Sequence, residues 1–244
     1  MSTEGALFGK EVFEPLNIEY ENAYKNNPYK KACVRKAISI LKPGSRVLDV
    51  GCGTGVPVSS MLAEAGLKVT GIDIAPKMIE IAQSKIQGDF WVADCVQYQP
   101  QGTFDAIFII YSQLALKYAD VHAMVFRLAK SLSSGGLICV GQDAADDHVP
   151  DDDPHWDKTH TYAEDFSEPL NLPFWGKPFK TLLLTRQGQQ DFLTSMGLEI
   201  VSETLDIFQP DNPACDPEHQ QYVIARRPND NPLTPPKPLP KEGV

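Results

Sequence analysis

The chain has 244 residues, with 32 Asp+Glu against 22 Lys+Arg for a net charge of −10, and 42% hydrophobic positions. That is enough for one α/β domain, or two small ones, with a proper core. The acidity and a pI near 4.9 argue against a nucleic-acid partner, because affinity for phosphates comes mainly from Lys/Arg clusters. No apolar run approaches the ~18–20 residues that span a bilayer, and the start MSTEGALFGKEVFEP has no basic stretch followed by an apolar one, so the expectation is a cytoplasmic protein without membrane contact.

The first periodic segment is 29–42 (YKKACVRKAISILK), with Cys33, Val34, Ala37, Ile38 and Leu41 on one helical stripe that stops at Pro43-Gly44. Arg46–Val50 then has strand length. It runs into the glycine cluster GCGTG and a helix with Pro57 in its first turn and Met61, Leu62 and Ala65 on one side. The unit repeats: strand Leu67–Asp73, helix from Pro76, strand Phe90–Ala93, and strand Phe104–Ile110, whose continuous hydrophobicity predicts burial on both faces. Val121, Met124, Val125, Leu128 and Leu132 lie at helical spacing, with Gly135-Gly136 read as the stop before a strand at Leu137–Gly141. This alternation predicts parallel βαβ units.

The pattern breaks over 142–180. Ten acids lie between Asp143 and Leu170 against one base, Lys158, so this stretch holds −9 of the total charge. Such a long irregular segment is usually functional or disordered. Regularity returns with Thr185 as N-cap, a helix carrying Phe192, Leu193 and Met196 that ends at Gly197, and two strands, Leu198–Phe208 and Gln220–Arg226, expected to pair antiparallel at the sheet edge. The last seventeen residues carry six prolines and no apolar period, so they read as a disordered tail. The expected divisions are a segment 1–28, a domain 29–227 with an insertion at 142–180, and the tail 228–244.

The informative motif is Val47-Leu48-Asp49-Val50-Gly51-Cys52-Gly53-Thr54-Gly55. Glycines at a strand-to-helix turn allow positive φ and close backbone approach to a ligand, and the helix that follows presents unpaired N–H groups. Asp73 ends the second strand, 24 residues after Asp49, where an acid can accept from both hydroxyls of a ribose. A dinucleotide fingerprint requires glycine at the position held by Val56, so a nicotinamide cofactor is disfavoured.

Hydrophobic-hydrophobic-Asp-hydrophobic-Gly-x-Gly-x-Gly resembles the hallmark of the class I S-adenosylmethionine-dependent methyltransferases, of the broad ubiquinone-biosynthesis-like, small-molecule type. The resemblance continues at Gly71-Ile72-Asp73-Ile74 with Met78, at Ala93-Asp94-Cys95, at Phe104-Asp105-Ala106-Ile107 and at Gly135-Gly136-Leu137, covering about 40–142 and 185–227. It implies a doubly wound, Rossmann-like α/β fold: a mostly parallel seven-stranded sheet with an antiparallel last strand and an acceptor-binding insertion after strand 5. It also implies S-adenosylmethionine as cofactor and roles for individual residues. Gly51, Gly53, Thr54 and Gly55 would pass against its methionine part and Asp49 would organise the amino group. Asp73 would hold the ribose, Ile74 and Met78 would pack on the adenine, and Asp94 and Cys95 would bond its edge. Ile110 would lie beside the sulfonium. Segment 1–28 would fold over the cofactor as a lid, with Tyr24 contacting its carboxylate.

Transfer of an already activated methyl needs positioning above all, and a base only if the acceptor arrives protonated. Three of the five histidines (His148, His155, His160) fall in 142–180 beside Trp156, Tyr162 and Trp175, so this segment is expected to line the acceptor site with His160 or His155 as base; a solvated acidic loop is the competing reading. No metal is expected: consecutive Asp151–Asp153 on a loop rarely converge on one ion, and the five cysteines are scattered. The activity expected is methyl transfer to an oxygen or nitrogen of a small molecule. Two alternatives stay open: a cofactor-retaining enzyme that does pericyclic or dehydration chemistry, and an inactive binding module.

Overall fold

The computed structural model describes residues 2–147, 161–163, 166–229 and 232–235, with 161–163 and 166–169 as backbone. Asn27 caps the helix α2 (Pro28–Ile40) by accepting from the Tyr29 and Lys30 amides, with Pro28 at its first position. The chain then alternates β1 (Arg46–Val50), α3 (Val58–Glu64), β2 (Lys68–Asp73), α4 (Pro76–Lys85), β3 (Asp89–Val92), β4 (Phe104–Ile110), α5 (Tyr118–Lys130) and β5 (Leu132–Asp143). After these come β6 (Thr161–Ala163), β7 (Phe166–Phe174), β8 (Lys177–Leu184), α6 (Arg186–Ser195), β9 (Glu199–Phe208) and β10 (Glu218–Arg226).

Seven strands form one sheet in the order β3-β2-β1-β4-β5-β10-β9. The first five are parallel, and β10 enters antiparallel between β5 and β9, as the sequence led one to expect. Alternate residues feed two cores: Leu48, Val50, Ile107 and Ile109 pack toward α5 and α6, while Val47, Val69, Ala106 and Phe108 pack toward α2 and α3. This two-sided burial explains why β4 reads as a continuous apolar run.

Four features depart from the sequence reading. Residues Glu4–Tyr24 form a helix, α1, broken at Asn17 (φ +28) two residues after Pro15; its first half lies across the carboxyl ends of the strands. Gly135-Gly136 do not stop α5, which ends at Lys130. They lie inside β5 beside a register shift against β4, with Gly135 at φ +76, as a β-bulge requires. Within 142–180, β6, β7 and β8 form a second, antiparallel sheet. Pro169, Pro173 and Pro178 interrupt its sequence pattern, and β7 turns into β8 through Trp175-Gly176, both at positive φ. Residues 232–235 of the proline-rich tail are docked: Leu233 packs on the core, and Thr234 bonds the Met196 and Ser195 carbonyls.

Candidate functional site

The chain leaves β1 outward to β2 and β3, then returns to β4 on the other side of β1. The connections diverge there and open a crevice above the carboxyl ends of β1 and β4, the usual ligand site of such sheets. A cavity of about 130 Å³ occupies it, lined by Asp49, Gly51, Gly53, Thr54, Asp73, Ile74, Met78, Cys95 and Ile110. Nine of the twelve residues expected from sequence at a cofactor thus surround one space.

Gly51 has φ +66, and a Cβ there would stand 2.2 Å from the Ser112 Cβ, so only glycine fits. Gly53, at φ +54, has no atom within 4 Å of such a Cβ; its open side is the cradle. The Gly53 amide donates to Asp73 Oδ2 (2.9 Å) and the Ala75 amide to Oδ1 (2.9 Å), which fixes the carboxylate while leaving each oxygen a further lone pair. Asp49 is 3% exposed and accepts from Ser59 Oγ at 2.7 Å. Burial pushes its carboxyl up to about 6, against the Ser59 bond. Ser112 Oγ is buried without a hydrogen-bond partner and lines the same cavity.

The other three expected residues are placed differently. Gly55 faces away: its Cβ would lie 2.3 Å from Ile86 Cδ1, so it serves packing of the loop on the end of α4. Asp94 binds the start of the chain, accepting from the Thr3 amide (2.8 Å) and Thr3 Oγ1 (3.3 Å), and its other oxygen accepts from the Val96 amide (2.8 Å). Tyr24 donates to Glu218 Oε1 and lines a second cavity.

That second cavity, about 300 Å³, shares Phe13, Tyr20, Tyr111 and Leu114 with the first. Its walls are aromatic, and Asp143, Asp216, Glu218 and His219 also line it. Tyr111, just past β4, has φ +60, a conformation costing about 1–2 kcal/mol and typical of functional positions. Its hydroxyl bonds the Gln142 carbonyl (3.0 Å) and Asp143 Oδ1 (3.1 Å). Lys30, buried on α2, lies over the Tyr24 and Tyr111 rings at 5.5 and 5.4 Å; burial lowers its pKa to about 8 although Glu218, Asp49 and Asp143 oppose the shift. Sequence reasoning missed Lys30, Tyr111, Ser112 and Glu218, since none stands in a motif. Of the histidines, His122 is buried between Tyr118 and Phe192, far from any catalytic duty, whereas His148, His155 and His160 lie outside the described residues.

The helix α1 closes the first cavity. Gly5, Ala6, Gly9, Lys10 and Phe13 line it, and a Cβ on Gly5 would meet the Ala115 carbonyl at 2.4 Å, so the small residue allows the close approach. Thr3 on Asp94 and the Lys85–Glu21 ion pair (2.9 Å) tie the helix down at either end. The residues present suit S-adenosylmethionine. A carboxylate stands by for an ammonium, an open glycine cradle for a chain, a second carboxylate for a diol, and the apolar Ile74, Met78 and Ala93 for a ring.

Residues 47–136 match the methyltransferase domain family. Over 110 residues the chain is 36% identical to a ubiquinone biosynthesis O-methyltransferase of Xanthomonas campestris, covering 42% of this chain and 44% of that one. Over 107 residues it is 38% identical to phosphoethanolamine N-methyltransferase 3 of Arabidopsis thaliana, covering 41% and 21%. The chain thus spans less than half the length of these curated relatives. Among solved structures, a SAM-dependent methyltransferase from Methanosarcina mazei superposes with a TM-score of 0.63 at 19% identity over 79% of this chain and 96% of that one. A Burkholderia thailandensis 1,6-didemethyltoxoflavin N1-methyltransferase with bound S-adenosylhomocysteine gives 0.65 at 14% over 92% and 89%. Residues 47–136 thus match a methyltransferase domain, and the strand order with the glycine turn at the end of β1 gives the chain the fold of the S-adenosylmethionine-dependent methyltransferases it superposes on.

Proposed function

We propose that the protein methylates an oxygen or nitrogen of a small molecule, with S-adenosylmethionine held in the first cavity and the acceptor in the second. The observation that carries this is the pairing of the two cavities across Tyr20 and Tyr111. A donor pocket built on Asp49, Gly53 and Asp73 opens onto an aromatic space of small-molecule size. When bound, the cofactor supplies a methyl activated by the positive charge on sulfur.

In this reading Asp49 receives the amino group, Gly51, Gly53 and Thr54 border the methionine chain, and Asp73 accepts from the ribose. Ile74, Met78 and Cys95 enclose the adenine, and Ile110 flanks the reacting centre. Asp94 reaches the adenine edge only when Thr3 releases it. Phe13 and Tyr20, brought in by α1, exclude water from the junction, so that positioning and dehydration supply much of the rate. For an oxygen acceptor, His155 and His160 remain the proposed bases in the insertion. A cytoplasmic location agrees with the absence, among the described residues, of a helix long and apolar enough to cross a membrane.

The test is incubation with methyl-labelled S-adenosylmethionine and a metabolite extract, beside a calorimetric titration with S-adenosylhomocysteine. Label in a small-molecule product is expected; cofactor binding without transfer to any product would refute the catalytic reading.

A further inference from the structure

We propose that the acceptor is a small amine carrying an apolar or aromatic group, recognised as a cation in the second cavity. The inference rests on the methyltransferase reading and narrows it from oxygen or nitrogen to nitrogen.

The cavity combines two features that favour positive charge. Phe13, Tyr20, Tyr24, Phe174 and Phe179 give it an aromatic wall, several of them in mutual contact at 4.6–6.3 Å, and ring faces attract an alkylammonium. Asp143, Glu218 and the exposed Asp216 also line it. The nearby cation Lys30 lies over the Tyr24 and Tyr111 rings and lines the first cavity, not this one; His219, Cys215 and the tyrosines are the other titratable groups on the lining. The formal charge facing the cavity is therefore negative. Glu218 is held in place, accepting from the Tyr24 hydroxyl on one oxygen and from Gln220 Nε2 (2.7 Å) on the other, so its charge is a fixed element of the wall. Asp143 is likewise held by Tyr111, at the junction with the donor pocket.

The same arrangement suits amine chemistry better than phenol chemistry. An ammonium that enters gives its proton to a cavity carboxylate. The freed nitrogen lone pair forms the N–C bond as the C–S bond breaks, with that bond's electron pair going to sulfur. Positive charge thus moves from sulfur toward the fixed carboxylate that stays ionised, which stabilises the new ammonium without reorganising. A phenol would have to become a phenolate beside the same two acids, at a cost in Coulomb energy that low polarity magnifies.

The experiment first titrates the full chain with S-adenosylhomocysteine, then titrates the loaded protein with three probes that share one ring: 2-phenylethylamine, 2-phenylethanol and phenylacetate. The amine is expected to bind about tenfold or more tighter than the alcohol, with phenylacetate weakest. Glu218→Gln, which keeps an acceptor for Tyr24, and Asp143→Asn should each shrink the amine's advantage severalfold while S-adenosylhomocysteine still binds. Equal or reversed preference, or no amine binding to the loaded protein, overturns the inference and leaves the methyltransferase reading standing. Failure of S-adenosylhomocysteine to bind overturns that reading, and this inference with it.

Discussion

Asp49→Asn separates what the protein gains in function at this position from what it loses in stability. The carboxyl is 3% exposed, and burial raises it from an ordinary 3.8 to about 6. A rise of about two pH units corresponds to about 3 kcal/mol between the two protonation states. Because the raised value belongs to the folded protein, the folded chain binds more protons than the unfolded one between about pH 4 and 6, and stability falls as pH rises through that window. Above pH 6 the whole cost is present; below pH 4 it is nearly absent. Asparagine keeps an acceptor for Ser59 and carries no charge, so without cofactor the variant should be more stable at pH 8 by up to about 3 kcal/mol, in a chain this size up to roughly 6–12 °C in Tm. At pH 4 the two proteins should melt together. Loss of one counter-charge for Lys30 trims the gain, though Glu218 and Asp143 remain. Losing a charge-assisted bond to the cofactor's ammonium should weaken S-adenosylhomocysteine roughly 10–100-fold. Thermal melts at the two pH values and calorimetry at pH 8 check both halves. A variant no more stable at pH 8, or one with undiminished affinity, would refute the reasoning.

Gly51→Ala should lose roughly 2–4 kcal/mol of stability, because left-handed backbone strain and overlap with Ser112 add together. Gly53→Ala has strain without overlap and should cost only about 1–2 kcal/mol, yet abolish cofactor binding by filling the cradle; urea melts with titrations distinguish the two. Deleting residues 2–9 removes the contacts on Asp94 and Ala115, and stopped-flow mixing should show faster cofactor association. An unchanged on-rate would mean that α1 does not gate entry. Tyr24→Phe should raise the acceptor KM and leave cofactor affinity intact, since the hydroxyl serves Glu218; a weakened cofactor would instead restore the carboxylate contact expected from sequence. Alanine at both His155 and His160 should lower turnover if either is the base, and an unaltered kcat would assign proton removal to the cavity carboxylates.

Much of the donor half was legible without coordinates. Strand, glycine turn and helix are local features: β1 and β4 announce themselves by short apolar runs, and Gly51 and Gly53 by backbone conformations that other residues adopt only with strain. Asp49, next to last in β1, and Asp73, last in β2, follow because parallel strands deliver their carboxyl-terminal residues to the same edge of the sheet. Local pattern misled where one residue type serves two ends: Gly135-Gly136 suit a helix stop and a bulge equally well, and pairing with β4 selected the bulge.

The second cavity was decided by contacts between distant parts of the chain. Lys30 from α2, on the first cavity, and Glu218 at the start of β10, on the second, meet across Tyr111, which lines both, only once β10 has inserted beside β5, and no spacing in the sequence encodes that meeting. The same holds for α1, whose Thr3 reaches Asp94 across the donor pocket. The sequence by itself determined which edge of the sheet carries the glycine turn and its two carboxylates, and placed −9 of the charge in one segment. Tertiary structure decided what that edge faces, because burial, not composition, sets whether an acid is a solvated surface charge or, like Glu218, a fixed and poorly solvated wall of a cavity.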